Sequence, residues 1–127
     1  MQISARQSAA MSRATTDSFD QRALDFLKRR YPDLAGRAGD ERMLRLVQHG
    51  RARAPLHGFT SERDVVQYLL VMIHLGPRFD EDPARAPVLQ RFLDPASTMP
   101  AQMRMGVLID AAAEEEKRAQ ERQHGSR

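Results

Sequence analysis

Four histidines, His49, His57, His74 and His124, are the only imidazoles in the chain. A helical zinc site needs two of them three or four residues apart, so that both rings leave the same face. No pair has that spacing and no HExxH-like pattern occurs, so no metal ligand is expected. Cysteine is absent, which removes disulfides, thiolate-bound zinc and thiol nucleophiles together. Asp80, Glu81 and Asp82 form an acidic run. A calcium loop would also need a glycine at its sharp turn and a bidentate glutamate at its twelfth position. Neither is present, so Asp80 or Asp82 is expected to brace the loop by accepting backbone hydrogen bonds. Ser61 lies in Thr60-Ser61-Glu62-Arg63, the context of a helix N-cap rather than of an activated nucleophile. Phosphate-cradling glycine loops are missing from the sequence. These patterns predict no catalytic residue, no cofactor and no metal.

The elements that would carry these side chains read as helices. With no tryptophan and few aromatics, the core must be built from Leu, Val, Ile, Met and Ala, which suits helices better than sheets. A first helix is predicted from Thr16 to Tyr31, with Phe19, Ala23, Phe26 and Leu27 on one face and Pro32 as its stop. Ile3 to Met11 could add a short helix before it. A linker, Asp33 to Gly39, leads to a second helix from Asp40 to about Ala54. There Met43, Val47, Gly50 and Ala54 form an apolar stripe, opposite Arg42, Arg45, His49 and Arg53. Gly50 on that stripe implies close approach of a neighbouring helix, and Pro55 should end or kink the segment. The third helix, Ser61 to Leu75, is apolar over more than half its circumference and is expected to be central. A short helix around Pro87 to Leu93 and a long one from Pro100 complete the set. The long helix carries two stripes: Met103, Val107 and Ala111, and, turned well away, Met105, Leu108, Ile109 and Ala112. The fold class is therefore all-α, a compact bundle of four main helices plus one short helix. Residues 15–113 form the domain, after a partly ordered segment 1–14 and before a polar tail 114–127 that continues the last helix.

Charge is uneven along the chain. Residues 22–53 hold nine Lys/Arg against four Asp/Glu, or +5, whereas residues 54–94 hold four against six, or −2. The basic face of the second helix suits an acidic partner. Nucleic acid is disfavoured, because no aromatics are interleaved and the helix after the turn is too apolar to read bases. The longest apolar run, Val65 to Ile73, is interrupted by Gln67 and far short of the ~20 residues that span a bilayer. The N-terminal residues lack an apolar core of signal-peptide length, and a cytoplasmic protein is expected. The second stripe of the last helix is the candidate partner surface, because methionines adapt to irregular contacts and exposed apolar stripes mark interaction sites.

The stretch from His49 to Pro83 reads HGRARAPLHGFTSERDVVQYLLVMIHLGPRFDEDP. With the preceding Tyr31-Pro32 step, it resembles a group of small helical bacterial proteins encoded beside type VI secretion effectors and their spike proteins. The similarity covers roughly two-thirds of the chain, from Phe19 to Leu93. Pro55 and Leu56 depart from the group's pattern, where ordinary helix residues are expected. The resemblance implies a non-enzymatic accessory, chaperone-like or adaptor, whose partner is a secreted effector or that effector's chaperone. The partner surface is assigned to Met105, Ile109 and Ala112 together with Arg42, Arg45 and Arg53. The alternatives are an immunity protein that neutralises a neighbouring toxin, and a basic nucleic-acid-binding helical protein.

Overall fold

Pro32 ends one helix and begins the next. The first, α1 (Ala5–Arg30), closes on the Tyr31 N–H to Leu27 carbonyl bond, and α2 (Pro32–Ala38) starts with the proline at its first position. Proline is well suited to that place, since its missing N–H has no intrahelical partner there. Gly39, at φ +85°, then turns the chain into α3 (Asp40–Arg53). A short 3-10 turn (Ala54–His57), α4 (Glu62–Leu75), a second 3-10 turn (Phe79–Glu81), α5 (Ala86–Leu93) and α6 (Ala101–Gly125) follow. The computed structural model describes the backbone of residues 5–83 and 86–125 and the side chains of 15–83 and 89–122. Among the described residues there is no strand, so the all-α class holds.

Two differences from the sequence reading lie in the first forty residues. The expected linker 33–39 is helical apart from Gly39, because Pro32 initiates as well as terminates. Among the described residues six α-helices result rather than five. The described part of the Ile3–Met11 segment belongs to α1, which is one helix through Arg30, while Ile3 itself lies outside the described residues. The polar stretch from Glu114 is helical as far as Gly125.

Contacts divide the chain into two compact units, 1–48 and 49–127, with the boundary inside α3. In the first, α1 packs on α2, and Phe19, Ala23, Leu24 and Leu27 are buried, as is Ala35 of α2. Phe26 is only half-buried, and Leu24 lies on the inner face instead. The Lys28 ammonium reaches Asp40 Oδ2 at 3.1 Å on the surface.

The second unit is organised around α4 and α6. Ser61 caps α4, its hydroxyl accepting the Asp64 N–H at 3.0 Å, and Glu62 and Asp64 place negative charge at the positive end of the helix. Val65, Tyr68, Leu69, Val71, Met72 and Leu75 of α4 are buried. Arg104 reaches the His57 carbonyl just before α4, while His74 near the other end of α4 lies 3.8 Å from Glu116. The two helices therefore run side by side in the same direction, and α5 packs on α6 and on the 79–81 turn. Gly50 is where α3 meets α4. A Cβ there would run into Leu69 Cδ2 and lie 2.9 Å from Met72 Sδ, so the close approach expected from its position is present. None of the described helices is long and apolar enough to cross a membrane.

Covering α4 requires the stripe on α6 that the sequence offered as a partner surface. Met105, Leu108 and Ala112 are core residues at 1%, 0% and 5% exposure, and Ile109 is half-buried. The opposite stripe is the more open one, with Met103 59% exposed.

Candidate functional site

Two side chains, Arg53 and His57, converge on one carboxylate oxygen of Asp80 in the second unit. Pro55 tightens the end of α3 into a 3-10 turn, and Gly58, at φ +82° in the left-handed region, closes it with its N–H on the Pro55 carbonyl. This geometry brings Arg53 and His57 to the same side of the chain. The turn 79–81 is anchored by Phe79, which is 1% exposed and tilted against Tyr68 with ring centroids 5.3 Å apart. Anchoring Phe79 places Asp80 opposite Arg53 and His57. The Asp80 side chain is wholly buried. Its Oδ2 accepts hydrogen bonds from Arg53 Nε at 2.9 Å, Arg53 Nη2 at 2.6 Å and His57 Nε2 at 2.8 Å. Glu81 lies 3.5 Å from Arg53 Nη2 at the rim.

The electrostatics follow from this packing. Burial opposes ionisation of Asp80 most strongly. The hydrogen bonds from His57 and Arg53, with the charges of both, outweigh it and hold the carboxyl below its ordinary value. The same hydrogen bond raises the Arg53 guanidinium above its ordinary value against the effect of burial. Tyr68 is fully buried beside the pair. Burial, then the Asp80 charge, push its hydroxyl far up, so it stays protonated. Neither the Tyr68 hydroxyl nor Asp80 Oδ1 has a hydrogen-bond partner, although the Asp80 charge acts on Tyr68 at close range.

The other ring nitrogen of His57 is also engaged, with Nδ1 2.9 Å from the Leu93 carbonyl at the end of α5. Carbonyl and carboxylate oxygens both only accept. Both contacts are therefore hydrogen bonds only when the ring carries both protons. His57 and Asp80 line a pocket of about 340 Å³ together with Gln90, Leu93, Asp94 and Pro95. A histidine beside an aspartate at a pocket resembles the base and its orienting group in a nucleophilic triad. In a triad the second nitrogen faces the nucleophile. Here it faces the Leu93 carbonyl, which takes the place a nucleophile would hold.

A second convergence supports the first from below. Arg104 of α6 is 3% exposed, and its Nη1 donates to the His57 carbonyl at 2.7 Å and the Phe92 carbonyl at 3.2 Å. Its Nε donates to the Met99 carbonyl at 3.2 Å, and its guanidinium lies 4.8 Å from the centre of the Phe59 ring. One buried cation thus joins the turn after α3, the last turn of α5 and the entry to α6.

Of the residues the sequence singled out, Arg42 and Arg45 are exposed, Arg45 lying 3.8 Å from Glu41. Arg53, read as part of a solvated basic face, is instead consumed by Asp80. Asp80 does brace its loop, but by accepting from two side chains rather than from the backbone. Met105 and Ala112 lie in the core, because α6 must cover α4, and so do not present a surface. His49, placed among exposed charges, has its Nε2 buried without a hydrogen-bond partner. Arg104 escaped the sequence reading. Its signal was available: a lone charge just before Met105 and one turn before Leu108, at the edge of the apolar stripe of α6. No group of three His, Cys, Asp or Glu able to hold a metal ion occurs among the described residues. Compared with known protein families, curated proteins and solved structures, the chain matches none.

Proposed function

We propose that this chain is a non-enzymatic protein-binding accessory, an adaptor or chaperone-like partner of a secreted bacterial effector, acting in the cytoplasm. The observation that carries the non-enzymatic part is the double engagement of His57. Its two ring nitrogens are held by Asp80 and by Leu93, and Asp80 is committed to Arg53, so the groups suited to proton transfer hold the fold together. General acid–base work needs a group within reach of substrate with a proton or lone pair to spare. The secretion link rests on the similarity of residues 19–93 to proteins encoded beside type VI effectors.

Partner contact is assigned to what the fold leaves outside. Leu56 is 58% exposed and Met103 is 59% exposed, the two large apolar side chains so placed among the described residues. Each sits one residue from an end of the hydrogen bond between the His57 carbonyl and Arg104. Leu56 is also where this sequence departs from the group it resembles, which suits a contact that sets partner choice. In the other unit, Arg42 and Arg45 offer positive charge to an acidic partner surface.

The test is co-expression with the product of each neighbouring reading frame, followed by capture on the tagged chain. Leu56→Glu combined with Met103→Glu should abolish capture while leaving thermal stability within about 0.5 kcal/mol, as surface changes usually do. Capture equal to wild type would remove the assignment. Protection of cells against the captured product, without any effect on its export, would make the chain an immunity protein instead. Retention on DNA that falls steeply with salt would point to phosphate contacts.

A further inference from the structure

His57 spans the pocket it lines. On one side its Nε2 holds the buried Asp80 carboxylate, and on the other its Nδ1 holds the last carbonyl of α5. The ring is stacked on Tyr68 of α4, with centroids 6.0 Å apart, and its side chain is 14% exposed, so solvent reaches it through the pocket. A ring with both protons satisfies both acceptors. A ring with one proton must abandon one of them.

The choice between them is set by charge. A hydrogen bond to a carboxylate is stronger than one to a neutral carbonyl, so a single remaining proton stays on Nε2 with Asp80. The Nδ1 lone pair then faces the Leu93 oxygen, and the contact turns from attraction to repulsion. The groups that surround the ring pull in both directions. Asp80 from the 79–81 turn, Glu81 beyond it, Asp94 after α5 and the negative end of α5 favour the second proton. Arg53 at the end of α3 and Arg104 from α6 oppose it, while Tyr68 stays neutral. We propose that His57 is a proton-dependent latch: doubly protonated, it ties the end of α5 to the 79–81 turn across the pocket, and loss of one proton releases α5 and opens that pocket.

The latch stands apart from any assignment of a partner, because it concerns only contacts inside the second unit. Arg104 keeps its own bond to the Phe92 carbonyl, so release frees the last residue of α5 and the turn Asp94–Pro95 rather than unfolding the unit.

The experiment uses the full chain labelled with ¹⁵N and follows imidazole long-range correlations and backbone amide exchange as pH is raised. His57 should show both nitrogens protonated at low pH and convert to the Nε2–H form, with Nδ1 bare. Across the same pH interval, exchange of the amides at the end of α5 and in its following turn, Leu93, Ala96 and Ser97, corrected for the intrinsic pH dependence of exchange, should rise about tenfold, or ~1.4 kcal/mol of local opening. Those of α4 should stay level after the same correction. In His57→Gln the corrected step at α5 should vanish, since the amide does not titrate. If the ring loses a proton and α5 exchange stays flat, or the proton remains on Nδ1, the latch is refuted. If His57→Gln is too unstable to study, the wild-type titration alone still decides between these outcomes.

Discussion

Removing the Asp80 carboxylate is the sharpest perturbation the structure offers. Its side chain is fully buried, and one oxygen accepts three hydrogen bonds, two from Arg53 and one from His57. Hydrogen bonds to charged groups contribute about 1.5–3 kcal/mol each, but three that share one oxygen do not add. Deleting one member of a buried ion pair typically costs about 3–5 kcal/mol, since its partner is left charged and unpaired. Arg53 retains 26% exposure and recovers some hydration, which places Asp80→Ala near the lower end, about 3 kcal/mol. Asp80→Asn keeps the shape but not the charge and should lose about half of that. The pH dependence carries a definite sign. Because the folded carboxyl lies below its ordinary value, its contribution is complete above about pH 4 and disappears as pH falls through the lower folded value. Urea unfolding followed by circular dichroism, near pH 7 and again near pH 2.5, checks both statements. The difference between wild type and Asp80→Ala should be large at the first pH and shrink at the second. A cost below about 1 kcal/mol near neutrality, or one that does not shrink in acid, refutes the reasoning.

Three further outcomes follow from the packing. Gly50→Ala should cost about 1 kcal/mol despite better helix propensity, and Gly50→Val about 2 kcal/mol or more, because Leu69 and Met72 are fully buried where the new atoms would go; denaturant midpoints measure this. Arg104→Met should lose about 3 kcal/mol by leaving three carbonyls without their donor, and Arg104→Lys should recover less than half, since an ammonium lacks the planar fork. Tyr68→Phe should stay within about 1 kcal/mol of wild type, because its hydroxyl is buried without a partner; a loss above about 2 kcal/mol would show that the hydroxyl is bonded to Asp80.

Much of the fold was legible because helical periodicity and chain breakers act locally. Ser61, Gly58 and Gly76-Pro77 mark the ends of α4, and the apolar arc of that helix announced a central position. Gly50 revealed a close contact through nothing more than its place on a stripe. Pro32 misled because the same residue that stops a helix is well placed to start one, and only the turn at Gly39 distinguishes the cases. The two stripes of α6 could not be ranked from a helical wheel, since which one is buried depends on where α4 lies. The polar cluster was illegible for the same reason. Arg53 and Asp80 are 27 residues apart, and each has an ordinary local reading, one as a helix-surface charge and the other as a loop brace. Only the tertiary fold makes them partners, with His57 between them.

The central claim is that the Arg53–His57–Asp80 convergence braces the second unit and performs no chemistry on a substrate. Replacing the ion pair outright, by Arg53→Met with Asp80→Leu, tests it most directly, since an apolar pair of similar volume often matches or exceeds a buried ion pair in stability. The account predicts a folded protein within about 1.5 kcal/mol of wild type that binds the proposed effector partner as wild type does. A double variant that folds normally yet fails to capture it would show that these charges act on the partner, and would contradict the account.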